Sequence, residues 1–181
     1  MFGTAFDRGC LLVTGGAKSG KSSLALEVCD AMDKEKIFLA TAQALDQEME
    51  KRIRRHKEER TSEWRTIEEP LDVPGVLSRL DREDRVILVD CLTLWVNNLY
   101  MNHGDEQEAI LSHVDRLVRT LSGVRGAVVV VSNEIGWGIV PGDPVSRAYR
   151  DTVGFVNQQV ARTSSKVVVV VSGLPLVLKD G

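Results

Sequence analysis

The sequence predicts an α/β domain in which a mostly parallel β-sheet is flanked by helices. Apolar segments of strand length alternate with segments of helix length, the connections between them are short, and several apolar segments are nearly continuous Val, Ile and Leu. The 181 residues are 43% hydrophobic, which suits one domain with one sizeable core. We therefore expect a loose N-terminal extension over residues 1–9 and a single domain over residues 10–181.

The individual elements follow from the alternation along the chain. Apolar runs such as Val86-Ile87-Leu88-Val89 predict five strands, at residues 10–14, 36–40, 85–90, 127–132 and 166–172. The segments between them predict helices at residues 21–32, 46–59, 73–80, 93–101, 106–121 and 145–163. The final segment, residues 167–178, is interrupted at Ser172-Gly173-Leu174-Pro175 and predicts a C-terminal β-hairpin with an antiparallel edge.

The most specific motif joins the first predicted strand to the first predicted helix. It consists of Gly15, Gly16, Ala17, Lys18, Ser19, Gly20, Lys21 and Ser22. Glycines at both ends allow the backbone N–H groups to surround a polyphosphate, and the helix N-terminus adds its positive dipole end. Lys21 is expected to reach the β- and γ-phosphates, and the Ser22 hydroxyl to bind Mg²⁺. The alternative is a glycine-rich turn without a ligand; the strand-loop-helix context favours a P-loop NTPase-like (RecA-like) fold.

Two further strands end in polar residues. The apolar run before Asp90 is typical of a strand whose terminal carboxylate holds magnesium beside a phosphate loop. Ser132-Asn133-Glu134 ends another Val-rich strand, at the edge where open α/β sheets bind ligands. The first pattern predicts Asp90 as a magnesium residue, whereas the second also fits an ordinary strand-end turn.

Composition and missing motifs narrow the functional classes. The net charge of −3 offers no general electrostatic attraction to nucleic acid or anionic membrane. Asp90-Cys91-Leu92-Thr93 is not the DxxG switch of a regulatory GTPase, and Asn133-Glu134-Ile135-Gly136 is not its NKxD guanine motif. A small-molecule phosphotransferase or nucleotidyltransferase remains.

The three cysteines and the chain start indicate a cytoplasmic location. Cys10, Cys29 and Cys91 are widely spaced in apolar or helical contexts, which favours reduced core thiols over disulfides or a metal site. The first nine residues lack the apolar centre of a signal peptide, and no apolar run approaches the roughly 20 residues of a membrane helix.

The segment of residues 46–60 carries an unusual pattern of cations. Arg52, His56 and Arg60 are four residues apart, so a helix would align them in one stripe. Neighbouring cations disfavour imidazolium and lower the histidine pKa, which leaves a nucleophilic nitrogen at neutral pH. The same cations would stabilise a triphosphate under attack. The alternative is a solvated charged helix with an incidental histidine; His103 and His113, in contrast, are interpreted as surface or helix residues.

Several of these motifs, in this order, resemble the bifunctional adenosylcobinamide kinase and adenosylcobinamide-phosphate guanylyltransferase family of cobalamin assembly. The resemblance extends from Cys10 to Lys179. The matching stretches are the loop Gly15–Ser22, Ala40-Thr41-Ala42-Gln43, the block from Arg52 to Glu68, Leu88-Val89-Asp90-Cys91-Leu92-Thr93, and the run from Ser132 to Pro141. The implied enzyme phosphorylates adenosylcobinamide with ATP or GTP and then attaches GMP from GTP to the product through a guanylylated histidine.

The resemblance also implies individual roles. It makes His56 the GMP carrier and assigns the nucleotide phosphates to the loop. Further nucleotide contacts fall on Thr41, Ala42, Gln43, Lys57, Glu58, Glu59, Arg60, Glu68 and Asp90. Lys21, Ser22 and Asp90 would hold the departing magnesium pyrophosphate.

Two positions depart from the family pattern. Some members have two adjacent histidines, whereas this chain has Arg55 before His56; if the preceding position carried the family nucleophile, this chain would lack it. Lys18 stands where many members have Arg, which still leaves a cation facing the phosphates. The resemblance implies a homotrimer with active sites between subunits. The alternatives are a kinase for another small alcohol, a guanylyltransferase alone, and a regulatory nucleotide-binding subunit.

Overall fold

The computed structural model describes residues 6–44, 47, 54, 62–104 and 106–181, and a seven-stranded sheet runs through them. The strands are β1 (Gly9–Gly15), β2 (Glu35–Ala40), β3 (Trp64–Glu68), β4 (Arg85–Asp90), β5 (Ala127–Val131), β6 (Lys166–Val171) and β7 (Leu174–Asp180). The helices within the described ranges are α1 (Lys21–Asp30), α2 (Val73–Leu80), α3 (Leu92–His103), α4 (Gln107–Ser122) and α5 (Pro144–Thr163).

The strand order is β3-β2-β4-β5-β1-β6-β7. Every pair is parallel except β6 and β7, which form the antiparallel hairpin at one edge. This arrangement confirms the predicted α/β class and the C-terminal hairpin. It also brings the carboxyl ends of β1 to β6 to the same edge of the sheet.

Alternation along the central strands divides the core between the two faces of the sheet. Leu11 and Val13 of β1 face α1, where they pack with Ala25 and Cys29. Leu12 belongs to the opposite cluster, which is formed with residues of α2, α3, α4 and α5. The central strands are therefore buried on both faces, which explains why their sequences are almost wholly apolar.

The edge strand β3 was not predicted from the sequence. It contains Arg65, Thr66 and Glu68, so it lacks the apolar run by which the central strands were found. Trp64 anchors it: the ring packs edge-to-face on Phe38, with centroids 6.2 Å apart, and its Nε1 donates to Asp30 Oδ1 at 3.0 Å. Strand β3 is thus stabilised by its pairing with β2 and by one aromatic contact, and its local sequence alone does not indicate a strand.

The remaining predicted elements differ from the structure in smaller ways. The helix predicted at residues 46–59 lies outside the described residues apart from Gln47 and Arg54. At the start of the chain, Phe6 is buried against the α1 face of the sheet and Gly9 is the first residue of β1. Packing therefore begins before Cys10, the residue at which the sequence places the first strand.

All three cysteines are buried free thiols, as predicted. Burial raises the pKa of Cys10 to about 11, and its Sγ lies 3.2 Å from Ser164 Oγ. In the part of the chain that the structure describes, none of the helices has the length and apolar character needed to cross a bilayer.

Candidate nucleotide site

The strand register aligns the predicted site residues along the carboxyl edge of the sheet. Ala40 of β2 is paired with both Glu68 of β3 and Asp90 of β4. Asp90 in turn lies opposite Val131 of β5, whose partner on β1 is Val13. The phosphate loop leaves β1 just beyond that point, so residues from four separate parts of the sequence meet at one edge.

The backbone of the phosphate loop requires glycine at its first position. Gly15 has φ +151°, and a Cβ atom there would lie 2.7 Å from Ser19 Oγ and collide with the Val170 carbonyl oxygen. Gly20, with φ +96°, precedes α1 as its N-cap. The loop thus passes too close to β6 for any side chain at its entrance.

Three groups of the loop suit the oxygens of a polyphosphate. Lys21 is buried, and its Nζ donates to Gly16 O at 3.1 Å, so the ammonium group lies over the loop. Ser19 Oγ is buried and makes no hydrogen bond with any residue that the structure describes. No side chain caps the N-terminus of α1 among these residues, so its first N–H groups face the loop. Such an arrangement of donors at a helix N-terminus is suited to an anion.

The C-terminal hairpin supports the loop from the side. Its turn donates a hydrogen bond from Gly173 N to Ser19 O at 2.9 Å. A Cβ on Gly20 would lie 3.6 Å from the Cα atom of Gly173. The hairpin predicted at the edge therefore contacts the phosphate loop directly.

Thr41 positions the segment that follows Asp90. Its side chain is fully buried, and its Oγ1 donates to Cys91 O and accepts from Cys91 N, both at 2.8 Å. Asn98 Nδ2 on α3 donates to Thr41 O at 2.7 Å. Because its hydroxyl is already engaged, Thr41 acts on the backbone beside Asp90, whereas Ala42 and Gln43 are progressively more exposed at the same edge.

The oxygen donors expected for magnesium are Ser22 and Asp90. Ser22 lies in the first turn of α1, which packs against β4 and β5, and Asp90 is the last residue of β4. The described residues contain no group of three or more His, Cys, Asp or Glu side chains that could hold a metal ion. One hydroxyl and one carboxylate fit Mg²⁺, which takes its other ligands from phosphates and water.

Glu134 lies beside the entrance of the loop. Its backbone N–H donates to Gly15 O at 3.1 Å, and its Oε1 accepts from Thr14 Oγ1 at 2.7 Å and from Asn157 Nδ2 at 3.3 Å. Asn157 Oδ1 also accepts from Ser132 Oγ at 2.6 Å. These contacts link α5 to the ends of β1 and β5.

A second set of hydrogen bonds links α3 and α5 to the same edge. Thr93 Oγ1 accepts from Asn133 N and Nδ2, both at 3.0 Å, while Thr93 O accepts from Tyr149 Oη at 2.9 Å. Burial raises the pKa of Tyr149 above its ordinary value, so its hydroxyl remains a donor. Sequence reasoning missed these supports, although a polar residue on an apolar helix face, as at Asn98 or Asn157, is a usable signal.

Part of the predicted site is not described. His56, Lys57, Glu58, Glu59 and Arg60 lie outside the described residues, so their roles stay predictions. The described part contains the phosphate loop, Thr41 to Gln43, Glu68 and Asp90 at one edge. His103 and His113 lie on α3 and α4, with ring centroids 5.3 Å apart.

Comparisons with known proteins show which family the chain resembles. The model of a family described as cobinamide kinase / cobinamide phosphate guanyltransferase matches residues 11–178. A protein of Pseudomonas aeruginosa, named bifunctional adenosylcobalamin biosynthesis protein CobP, is 40% identical over 168 residues, which covers 93% of this chain and 96% of the relative.

Solved structures share the fold at low identity. A protein from Pyrococcus horikoshii OT3, described as Project ID PH0250, is 9% identical with a TM-score of 0.54, and the match covers 95% of this chain and 86% of that one. An ATPase from the type III secretion system of pathogenic bacteria is 13% identical with a TM-score of 0.50, covering 89% and 50%. These similarities show a P-loop NTPase-like fold.

Proposed function

The chain belongs to the cobinamide kinase / cobinamide phosphate guanyltransferase family, and we propose that it carries out both reactions at the carboxyl edge of its sheet. In the first, the aminopropanol hydroxyl of adenosylcobinamide receives the γ-phosphoryl group of ATP or GTP. In the second, the resulting phosphate receives GMP from GTP, which forms adenosyl-GDP-cobinamide. The observation that carries the proposal is the phosphate loop, beside the strand that ends at Asp90. In this loop Lys21 is buried and Ser19 Oγ has no hydrogen-bond partner among the described residues.

The nucleotide phosphates would be held by the loop from Gly15 to Ser22. Lys21 and the α1 N-terminus neutralise the phosphate oxygens, and Ser19 Oγ gains a hydrogen-bond partner. Ser22 and Asp90 would hold Mg²⁺, which when bound shields the phosphate charge and polarises the phosphoryl oxygens. Further contacts are proposed for Ala42, Gln43, Glu68, and the undescribed Lys57, Glu58, Glu59 and Arg60, while Thr41 would act through the backbone beside Asp90.

The guanylyl transfer would proceed in two displacements. A ring nitrogen of His56 forms a bond to the α-phosphorus of GTP while the bond to the α,β-bridging oxygen breaks and pyrophosphate leaves. An oxygen of adenosylcobinamide phosphate then attacks the same phosphorus and releases the histidine. Arg52 and Arg60, at the spacing of one helical stripe with His56, support this role because cations lower the pKa of the imidazole and stabilise the phosphate charge.

Labelling with GTP that carries ³²P at the α-phosphate tests this assignment. The wild-type protein is expected to retain an acid-labile, base-stable label, and His56→Ala to retain none. His103→Ala is the matched control, since His103 lies at the C-terminal end of α3 and not at the nucleotide edge. A label that persists in His56→Ala would disprove the assignment, as would one lost equally in both variants.

Two assays separate this function from its alternatives. Phosphorylation of adenosylcobinamide by ATP and by GTP measures the kinase reaction, and adenosylcobinamide phosphate supplied directly measures the guanylyl transfer. A kinase for another alcohol would leave adenosylcobinamide unmodified and form no covalent intermediate. A protein with only the second activity would act on the phosphate alone.

We further propose that the protein is a homo-oligomer, with a trimer as the state that the family resemblance implies. The edge strand β7 supports this proposal: Leu174 and Leu176 are exposed by 73% and 58%, and Leu178, at the β-bulge of the strand, by 60%. An exposed apolar edge strand favours association with another chain. Light scattering measures the mass directly.

We expect the enzyme in the cytoplasm, because its nucleotide substrates and free cysteine thiols suit that compartment.

A further inference from the structure

Glu134 occupies the position between the phosphate loop and Asp90. In the sheet order, β5 separates β1, which leads into the loop, from β4, which ends at Asp90. The hydrogen bond from Glu134 N to Gly15 O extends the contact between β5 and β1 beyond the last paired residues. Glu134 therefore lies at the edge of the sheet where a γ-phosphate bound to the loop would face the carboxylate of Asp90.

One oxygen of this carboxylate is held and the other is available. Oε1 accepts from Thr14 Oγ1 and Asn157 Nδ2, whereas Oε2 has no hydrogen bond to any part of the chain that the structure describes. The side chain is partly buried, and Thr14 and Asn157 approach it from β1 and α5. An oriented carboxylate with one unused oxygen suits the acceptance of a proton from a substrate.

The other carboxylates at this edge have different positions or contacts. Asp90 is one strand farther from the loop and is the proposed metal residue, and Glu68 lies on the outer strand β3. Glu69 Oε1 accepts from the backbone N–H groups of Leu71 and Asp72, both at 2.9 Å. Among the described residues, Glu134 is thus the carboxylate whose side chain contacts the strand that leads into the phosphate loop.

We propose that Glu134 is the general base of the kinase reaction, an inference that rests on the proposed function. The aminopropanol hydroxyl gives its proton to Glu134 Oε2 as its oxygen bonds to the γ-phosphorus. The bond from that phosphorus to the β,γ-bridging oxygen breaks, and the nucleoside diphosphate leaves with the electron pair. The protonated carboxyl then releases its proton to water. Such a residue orients the attacking hydroxyl as well as accepting its proton.

A purely structural role for Glu134 predicts a different response to substitution. Glu134→Gln keeps an amide oxygen that accepts the hydrogen bonds from Thr14 and Asn157, but it removes the carboxylate. Asp81→Asn is the matched control. Asp81 is also partly buried and accepts two backbone hydrogen bonds, from Arg125 N and Gly126 N at 3.0 and 2.9 Å. These two residues precede β5, so Asp81 lies at the opposite end of that strand from Glu134.

The experiment measures kcat and KM for adenosylcobinamide phosphorylation, together with guanylyl transfer to adenosylcobinamide phosphate. In Glu134→Gln, we expect kcat of the kinase reaction to fall about 10²- to 10⁴-fold with a small change in KM. Guanylyl transfer is expected to stay within about twofold of wild type, because attack on the α-phosphorus uses His56 and needs no proton acceptor at Glu134.

Each remaining outcome decides against the inference or against its premise. A Glu134→Gln kinase rate within about threefold of wild type, or a parallel loss of both activities and of thermal stability, would overturn the role of Glu134. Loss of kinase activity in Asp81→Asn to the same extent would also overturn it. Absence of phosphorylation by the wild-type enzyme would refute the proposed function itself, which the assay distinguishes from failure of Glu134.

Discussion

Replacement of Thr41 by valine should destabilise the protein strongly for a change of almost no volume. Thr41 Oγ1 makes two hydrogen bonds of 2.8 Å to the backbone of Cys91, and the residue is fully buried. Valine fills the same space but removes both hydrogen bonds, while Cys91 O still accepts from Trp95 N at 3.1 Å. Disruption of a buried hydrogen-bonded group costs about 1–3 kcal/mol, so we expect a loss of about 1–3 kcal/mol in the free energy of unfolding.

Thermal and denaturant unfolding measure this effect. For a chain of this size, the expected loss corresponds to a decrease in Tm of about 2–12 °C. Thr163→Val is the control, since Thr163 is the last residue of α5 and makes no hydrogen bond through its side chain to any described residue. Activity should also fall at limiting magnesium, because Thr41 holds the backbone that follows Asp90. A Thr41→Val protein within about 0.5 kcal/mol of wild type would refute the reasoning.

Three other changes have expected outcomes. Gly15→Ala should abolish GTP binding measured by calorimetry, because the added Cβ collides with a carbonyl of β6. Gly154→Ala, in open space within α5, should instead raise stability by about 0.5–1 kcal/mol. Equal effects of the two substitutions on GTP binding would contradict the geometry. Burial raises the pKa of Cys10 from 9.0 to about 11, so at pH 8 its thiolate fraction is about 100-fold below that of the unfolded chain. Alkylation of Cys10, followed by mass spectrometry, should therefore accelerate only on unfolding or as the pH rises. Rapid labelling of the native protein would contradict this. Leu176→Glu should reduce the mass measured by light scattering, whereas Met101→Glu, at an exposed position on α3, should leave the mass unchanged. An unaltered mass in Leu176→Glu would show that β7 does not form the subunit contact.

Much of the fold was accessible from local patterns. The strands β1, β2, β4, β5 and β6 carry apolar runs because both of their faces are buried, and their predicted limits agree with the structure to within one residue. The phosphate loop was identifiable because its chemistry requires glycines, a lysine and a hydroxyl at set spacing. In contrast, β3 has a polar composition and exists through its pairing with β2 and the Trp64 contact with Phe38.

The candidate site was only partly predictable for a related reason. Asp90 ends an apolar strand, so its position at the sheet edge followed from the sequence. Asn98 and Asn157 lie within helices, and their contacts join residues 57 and 24 or 25 positions apart in the chain. No local pattern specifies which strand end such a side chain reaches.

The sequence by itself determined the phosphate loop, the alternation of strands and helices, and the family. These properties depend on spacing along the chain, because backbone dihedrals and side-chain periodicity are local. The tertiary structure decided that β5 lies between β1 and β4, and hence that Glu134 contacts Thr14 across 120 residues. Strand order results from burial of whole apolar faces against helices, so it appears only when distant segments pack together. From the sequence, Ser132-Asn133-Glu134 also fits an ordinary strand end. The packing of distant segments is the reason why Glu134 is proposed as the proton acceptor of the kinase reaction.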